Sequence, residues 1–256
     1  MPRTLKLTLA YNGARFHGWQ VQPGHPTIQG ALKEAWAVIT GEDVLPQGSG
    51  RTDAGVHALA QVASLQTSSG IPAENLLKAL NSRLPADIRV TEVVDVPPDF
   101  HARHSTTAKT YRYRIYRGSV LSPFLVGLVC HHPYPLDEKQ MVEAARFVEG
   151  EHDFTSFAAA DPDRASREGD DDEDLPSNVR RIFSSEFERD GDELAYTVRG
   201  NGFLHHMVRN LVGTFLKVGK GSTAVEDIVR IIDARDRSAA GATAPASGLY
   251  LVCVEY

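Results

Sequence analysis

Only two cysteines, Cys130 and Cys253, stand in the 256 residues, far apart and with no second cysteine near either. That scarcity excludes a disulfide framework or a zinc site built on cysteine pairs, and it suits a reducing compartment. No apolar run is long enough to span a bilayer and no early apolar segment resembles a secretory leader, so the chain is expected to be soluble and cytoplasmic. The histidines show no H-x-x-x-H or H-E-x-x-H spacing. His205 and His206 point about 100° apart if they sit on a helix, and His131 and His132 face opposite sides of a strand. No metal site is expected. The phosphate-binding loop is missing too, since Gly50-Arg51-Thr52 mimics its end without the lysine or the upstream glycine, and no G-x-S-x-G elbow presents a serine. Nucleotide hydrolysis and serine catalysis are therefore not expected.

A basic excess is also lacking: the formal net charge is -6, which on its face argues against a polyanionic partner. The distribution reverses that reading. Glu168 to Asp174 holds six acids in seven residues and accounts for the whole net charge. By contrast, Phe100 to Leu136 carries Arg103, Lys109, Arg112, Arg114 and Arg117 without an acid, and Tyr196 to Val225 carries Arg199, Arg209, Lys217 and Lys220 without one. If these segments converge they form a positive, tyrosine-bearing groove suited to a nucleic acid. Solvated strand faces are the plain alternative.

Hydrophobic residues make up 42% of the chain, enough for a core in one large domain or two ordinary ones. Thr4–Leu9 alternates as a strand, Tyr11-Asn12-Gly13 turns, and Ile28, Leu32, Ala35, Trp36 and Ile39 recur at helical spacing after Thr27. Gln61–Thr67 alternates again, Pro72–Leu84 reads as a helix and Ile88–Val96 as a β-branched strand. Lys109–Tyr116 then puts Lys109, Tyr111, Tyr113 and Ile115 on one face. A helix at Leu136–Val148, strands at Arg180–Phe187 and Glu193–Arg199, helices at Leu204–Val218 and Val225–Ala234, and a strand at Leu249–Tyr256 follow. The pattern predicts an α+β chain with two similar subdomains, 1–105 and 106–256, joined near residues 97 to 107.

The most telling segment is Gly48-Ser49-Gly50-Arg51-Thr52-Asp53-Ala54-Gly55-Val56-His57-Ala58. Three glycines in eight positions let the backbone turn tightly and approach a ligand, so Asp53 can be aimed into a pocket as a nucleophile or base. An ordinary surface ion pair between Arg51 and Asp53 is the competing reading. On the Leu204–Val218 helix, the apolar stripe leaves Arg209 at a core boundary. A half-buried guanidinium there needs a partner, and a carboxylate such as Asp53 would serve. Snorkelling to solvent is its commoner fate.

Taken in order, several motifs resemble the pseudouridine synthases that act on tRNA. They are Phe16-His17-Gly18-Trp19-Gln20, the Gly50–Ala58 loop, Phe100-His101-Ala102-Arg103, Lys109-Thr110-Tyr111-Arg112-Tyr113 and Asp153-Phe154-Thr155-Ser156-Phe157. His205-His206-Met207-Val208-Arg209-Asn210 and Gly248-Leu249-Tyr250-Leu251 complete the set. The resemblance implies the pseudouridine synthase fold, with mixed, mainly antiparallel sheets flanked by helices around a central RNA-binding cleft. It also implies isomerisation of uridine to pseudouridine in the tRNA anticodon stem-loop, at positions 38, 39 and 40, without cofactor, metal or added nucleotide, by a homodimer. By the same resemblance Asp53 is the catalytic aspartate and Tyr111 the aromatic that stacks on the base. Arg51 assists flipping and Arg209 pairs with the aspartate. Arg103, Arg112, Arg114 and Arg199 are expected to hold phosphates.

The acidic run departs from the family pattern and reads as a solvated loop, or as a repulsive element that sharpens RNA choice. Two other functions remain open at this stage. A non-catalytic RNA binder would use the same basic segments but gives Asp53 no task. A metal-independent hydrolase would use Asp53 but needs no basic segments.

Overall fold

A computed structural model describes residues 2–160 and 177–256, so the acidic run 168–174 lies outside the described residues. The chain packs into two compact units. Unit 1 comprises Met1–Arg112, Pro123–Val129 and Ala246–Tyr256, and unit 2 comprises Tyr113–Ser122 and Cys130–Pro245. Where the sequence pattern puts a seam near residues 97 to 107, the units change over after Arg112, and the last strand returns to unit 1 because it pairs there.

In unit 1, strand β1 (Arg3–Tyr11) pairs antiparallel with β3 (His57–Thr67) and β4 (Ile88–Val96), setting Leu7 opposite Ala63 and Val93. The two-residue β2 (Gln47–Gly48) adds antiparallel to β3. Strand β10 (Leu249–Glu255) adds parallel to β3, with Tyr250 opposite His57, and lies between β3 and β5 (Ala108–Tyr116). The alternation in β1 buries Leu5, Leu7 and Leu9 completely, as a half-buried strand should.

Helix α1 (Ile28–Thr40) begins where Thr27 Oγ1 accepts from the Gly30 N–H at 3.2 Å, and ends at Gly41 in the left-handed region. It buries Ile28, Leu32 and Trp36, each contributing about 1.5–3 kcal/mol of apolar transfer. Helix α2 (Ala73–Arg83) packs on β4 through buried Leu76 and Leu80.

Unit 2 continues β5 from Tyr113. Strand β6 (Cys130–His131) runs parallel to it, with Ile115 opposite Cys130. Strands β7 (Gly150–Asp153), β8 (Val179–Asp190) and β9 (Glu193–Gly200) follow antiparallel, in the sheet order β5-β9-β8-β7. Helix α3 (Glu138–Arg146) is capped by Asp137, whose Oδ1 accepts from the Gln140 N–H at 3.1 Å. It packs on β8 and on α4 (Met207–Gly219); α5 (Asp227–Ala234) closes the set.

Helix α4 differs from its expected form in two ways. It starts at Met207, not Leu204, because His206 takes a positive φ of 60° and breaks the right-handed run. It is also buried nearly all round: Asn210, Gly213 and Thr214 are inside along with the apolar stripe, leaving only Arg209 and Lys217 half-buried. His205 and His206 therefore do not sit 100° apart on a helix, and their rings lie 3.9 Å apart. Among the described residues no helix is long and apolar enough to cross a membrane.

Candidate active site

The loop that carries Asp53 runs from β2 to β3 and is held by backbone contacts on two sides. The Ser49 N–H donates to the Val62 carbonyl at 2.7 Å and the Val56 N–H donates to the Asp53 carbonyl at 3.1 Å. This makes a turn with Gly55 at φ +79°, where a side chain would strain it. The segment Phe16–Trp19 lies alongside. Trp19 N–H donates to the Thr52 carbonyl at 2.9 Å, and Gly55 N–H donates to the Phe16 carbonyl at 3.2 Å. Two motifs distant in sequence thus form one backbone cradle around a half-buried Asp53.

His57, at the end of the loop, is buried and fixed. Its Nδ1 accepts from the Gly13 N–H at 3.1 Å, so Nε2 carries the proton and donates to the Gly127 carbonyl at 3.0 Å. The ring stacks on Tyr250 at 4.6 Å, and the Tyr250 hydroxyl donates to the Leu128 carbonyl at 2.6 Å. With both nitrogens and one face engaged, His57 has a structural task. It ties the Tyr11-Asn12-Gly13 turn and the Gly248–Leu251 motif to the Asp53 loop.

Strand β5 brings Lys109 and Tyr111 to the same loop. Lys109 Nζ donates to the Ser49 carbonyl at 2.6 Å, close enough that a side chain at Gly50 would meet the ammonium at 2.8 Å. Tyr111 is buried, and burial pushes its hydroxyl pKa well up, with the negative charge of the Asp53 carboxylate adding to the shift. The hydroxyl stays protonated at neutral pH, near enough to Asp53 to feel its carboxylate. Tyr11 below is also pushed up, to about 12, mainly by burial. Arg51 is exposed on the loop, Arg103 is exposed in the turn after His101, and Arg112 is exposed on the face of β5 opposite Tyr111.

The other expected residues belong to unit 2 and are engaged there. Arg209 Nε donates to the Ala244 carbonyl at 2.8 Å, while the Ala244 N–H donates to the Arg209 carbonyl at 3.1 Å. Arg114 makes a two-pronged pair with Glu193, at 2.8 and 2.7 Å. Arg199 lies over the Phe183 ring with its guanidinium carbon 4.8 Å from the centroid.

Sequence reasoning did not single out the polar side chains below the Asp53 loop. Gln61 Nε2 donates to the Gly50 carbonyl at 3.0 Å, and its Oε1 accepts from Ser49 Oγ at 2.7 Å. A glutamine at an inward position of an alternating strand was the available signal, because such a side chain must find partners.

A family model described as tRNA pseudouridine synthase matches residues 8–105 and 144–256. The tRNA pseudouridine synthase A of Solibacter usitatus is 51% identical over 254 residues, covering 99% of this chain and all of that protein. The proteins of the same name from Anoxybacillus flavithermus and Limosilactobacillus fermentum are 45% and 44% identical over 255 and 256 residues. They cover 99% and 98% of this chain, and 99% and 95% of their own lengths. With a glycine-shaped aspartate loop lying beside a buried tyrosine, and with matches along nearly its whole length, this chain belongs to the tRNA pseudouridine synthase family.

Proposed function

We propose that this protein isomerises uridine to pseudouridine in tRNA, within the anticodon stem-loop, at positions 38, 39 and 40. The observation that carries the reading is the backbone cradle that holds Asp53 beside the protonated hydroxyl of buried Tyr111. Asp53 acts on the target nucleoside as nucleophile or base, the glycosidic bond breaks, and the ring reattaches through carbon. Tyr111 stacks on the base and takes part in removing the proton from the new attachment carbon.

A stacked uridine cannot present its glycosidic bond, so it is extruded at a cost of roughly a few kcal/mol. Arg51, exposed on the Asp53 loop, assists the flip. Arg209 is assigned, by the family resemblance alone, as the positive partner of the aspartate. Arg103 and Arg112 carry exposed guanidiniums suited to phosphates, and Arg114 and Arg199 extend that role from their partners Glu193 and Phe183. The enzyme works in the cytoplasm as a homodimer.

The test is the yield of carbodiimide-detectable pseudouridine in a purified, unmodified tRNA transcript. The reading expects turnover without added metal or nucleotide, confined to the anticodon arm. Tight tRNA binding without pseudouridine would support a non-catalytic binder instead.

A further inference from the structure

Four polar side chains lie sealed beneath the Asp53 loop: Tyr11, Ser49, Thr52 and Gln61 are 4%, 0%, 6% and 0% exposed. Burying such groups is costly unless each is bonded, so their arrangement fixes what they touch. Gln61 bridges Ser49 and Gly50 at the start of the loop, and its Nε2 reaches the Tyr11 hydroxyl at 3.5 Å, the limit of hydrogen-bonding range. The Tyr11 hydroxyl shares a 2.8 Å hydrogen bond with Thr52 Oγ1. Thr52 is the residue before Asp53, and its carbonyl is already held by the Trp19 N–H. Thr52 is thus anchored through both its side chain and its main chain, directly before Asp53.

We propose that Tyr11 is a positioning residue for Asp53, acting through the Thr52 hydroxyl and braced by Gln61. The inference rests on the reading of Asp53 as the reacting carboxylate. Tyr11 hydrogen-bonds the residue before Asp53 and acts through it. Its strand β1 is paired on both sides, by β3 and by β4, so it offers a rigid anchor that a loop cannot provide for itself. Asp53 is one residue removed from that anchor, so a small loss of order at Thr52 translates into misdirection of the carboxylate.

The test compares Tyr11→Phe, Thr52→Val, Thr52→Ser and the double variant Tyr11→Phe/Thr52→Val in single-turnover and steady-state pseudouridine formation. Assays run at a temperature where circular dichroism shows each variant folded. Because a misplaced reacting group costs on the order of tenfold to a hundredfold, Tyr11→Phe and Thr52→Val are each expected to lower kcat by about tenfold or more. KM for tRNA is expected to stay within about twofold, since no binding contact is removed. Thr52→Ser keeps the hydroxyl and is expected to retain most of the parental kcat. The double variant should be no slower than the worse single variant, because both remove one and the same bond.

A folded Tyr11→Phe with parental kcat, or a double variant whose loss is the product of the two single losses, would overturn the proposal. If Tyr11→Phe does not fold, the contrast between Thr52→Val and Thr52→Ser decides: equal activity overturns it, and a loss confined to valine supports it. Asp53→Asn assayed in parallel separates the two levels. An inactive Asp53→Asn beside a normal Tyr11→Phe removes only this inference, whereas an active Asp53→Asn removes the reading on which it rests.

Discussion

Gly18 and Thr52 are pressed together so closely that a Cβ on the glycine would stand 2.5 Å from the threonine carbonyl oxygen. Gly18 also has φ +85°, a conformation side chains rarely adopt. The close approach lets the neighbouring Trp19 N–H reach the same carbonyl, so the glycine is what allows the two motifs to share one cradle. Gly18→Ala is expected to destabilise the protein by about 1–3 kcal/mol through backbone strain, and to lower kcat beyond what the folded fraction explains. Chemical denaturation and turnover measured on the same preparation check both.

Lys109 makes the corresponding link from β5, donating to the Ser49 carbonyl at 2.6 Å. Lys109→Met keeps the length of the stem and removes the donor. The expected result is a kcat lower by about tenfold, as for a displaced reacting group, with a smaller change in tRNA affinity. Parental kcat in this variant would show that the loop keeps its place without the ammonium.

Asn210 does for unit 2 what Gln61 does for unit 1. Its Oδ1 accepts from Arg237 Nη2 at 2.9 Å and from Thr243 Oγ1 at 2.7 Å, while Nδ2 donates to the Phe157 carbonyl at 2.7 Å. It is fully buried, so Asn210→Ala removes three hydrogen bonds, the one to the Phe157 carbonyl among them, and is expected to cost about 1–3 kcal/mol. The segment it holds ends near Ala244, whose carbonyl accepts from Arg209, so activity should fall as well. Urea midpoints and kcat read the two effects.

The architecture was legible wherever side-chain alternation or helical spacing ran long enough. Ile88–Val96 agrees residue for residue, and α1 begins after Thr27 as its cap requires. Strands β2, β6 and β7 were not legible, since two to four residues cannot show a period and Gly150-Glu151-His152-Asp153 lacks β-branched residues. The start of α4 was misread because leucine and histidine fit the helical spacing, while the positive φ of His206 is set by its surroundings. At the site, the glycines made the tight turn that carries Asp53 legible. The buried layer of Tyr11, Ser49 and Gln61 was not legible, because it takes the pairing of β3 with β1 and with β2 to bring these residues together.

Glu42, just past α1, offers a pH-dependent check on packing. Its carboxylate accepts from the Ser68 and Thr67 hydroxyls, and these bonds hold its pKa down from 4.5 to about 2. A lowered folded pKa gives stability that is fully present above the unfolded value and is lost as pH falls through the folded one. The stability gap between the parent and Glu42→Gln should therefore be full above about pH 5 and shrink as pH falls toward 2. A gap independent of pH over that range would contradict it.

The most direct measurement is pseudouridine formation by Asp53→Asn on an unmodified tRNA transcript, with tRNA affinity and thermal stability recorded alongside. The exchange keeps the size of the side chain and removes its charge. The account predicts a folded protein that binds tRNA and forms no detectable pseudouridine. Turnover at the parental rate would contradict it.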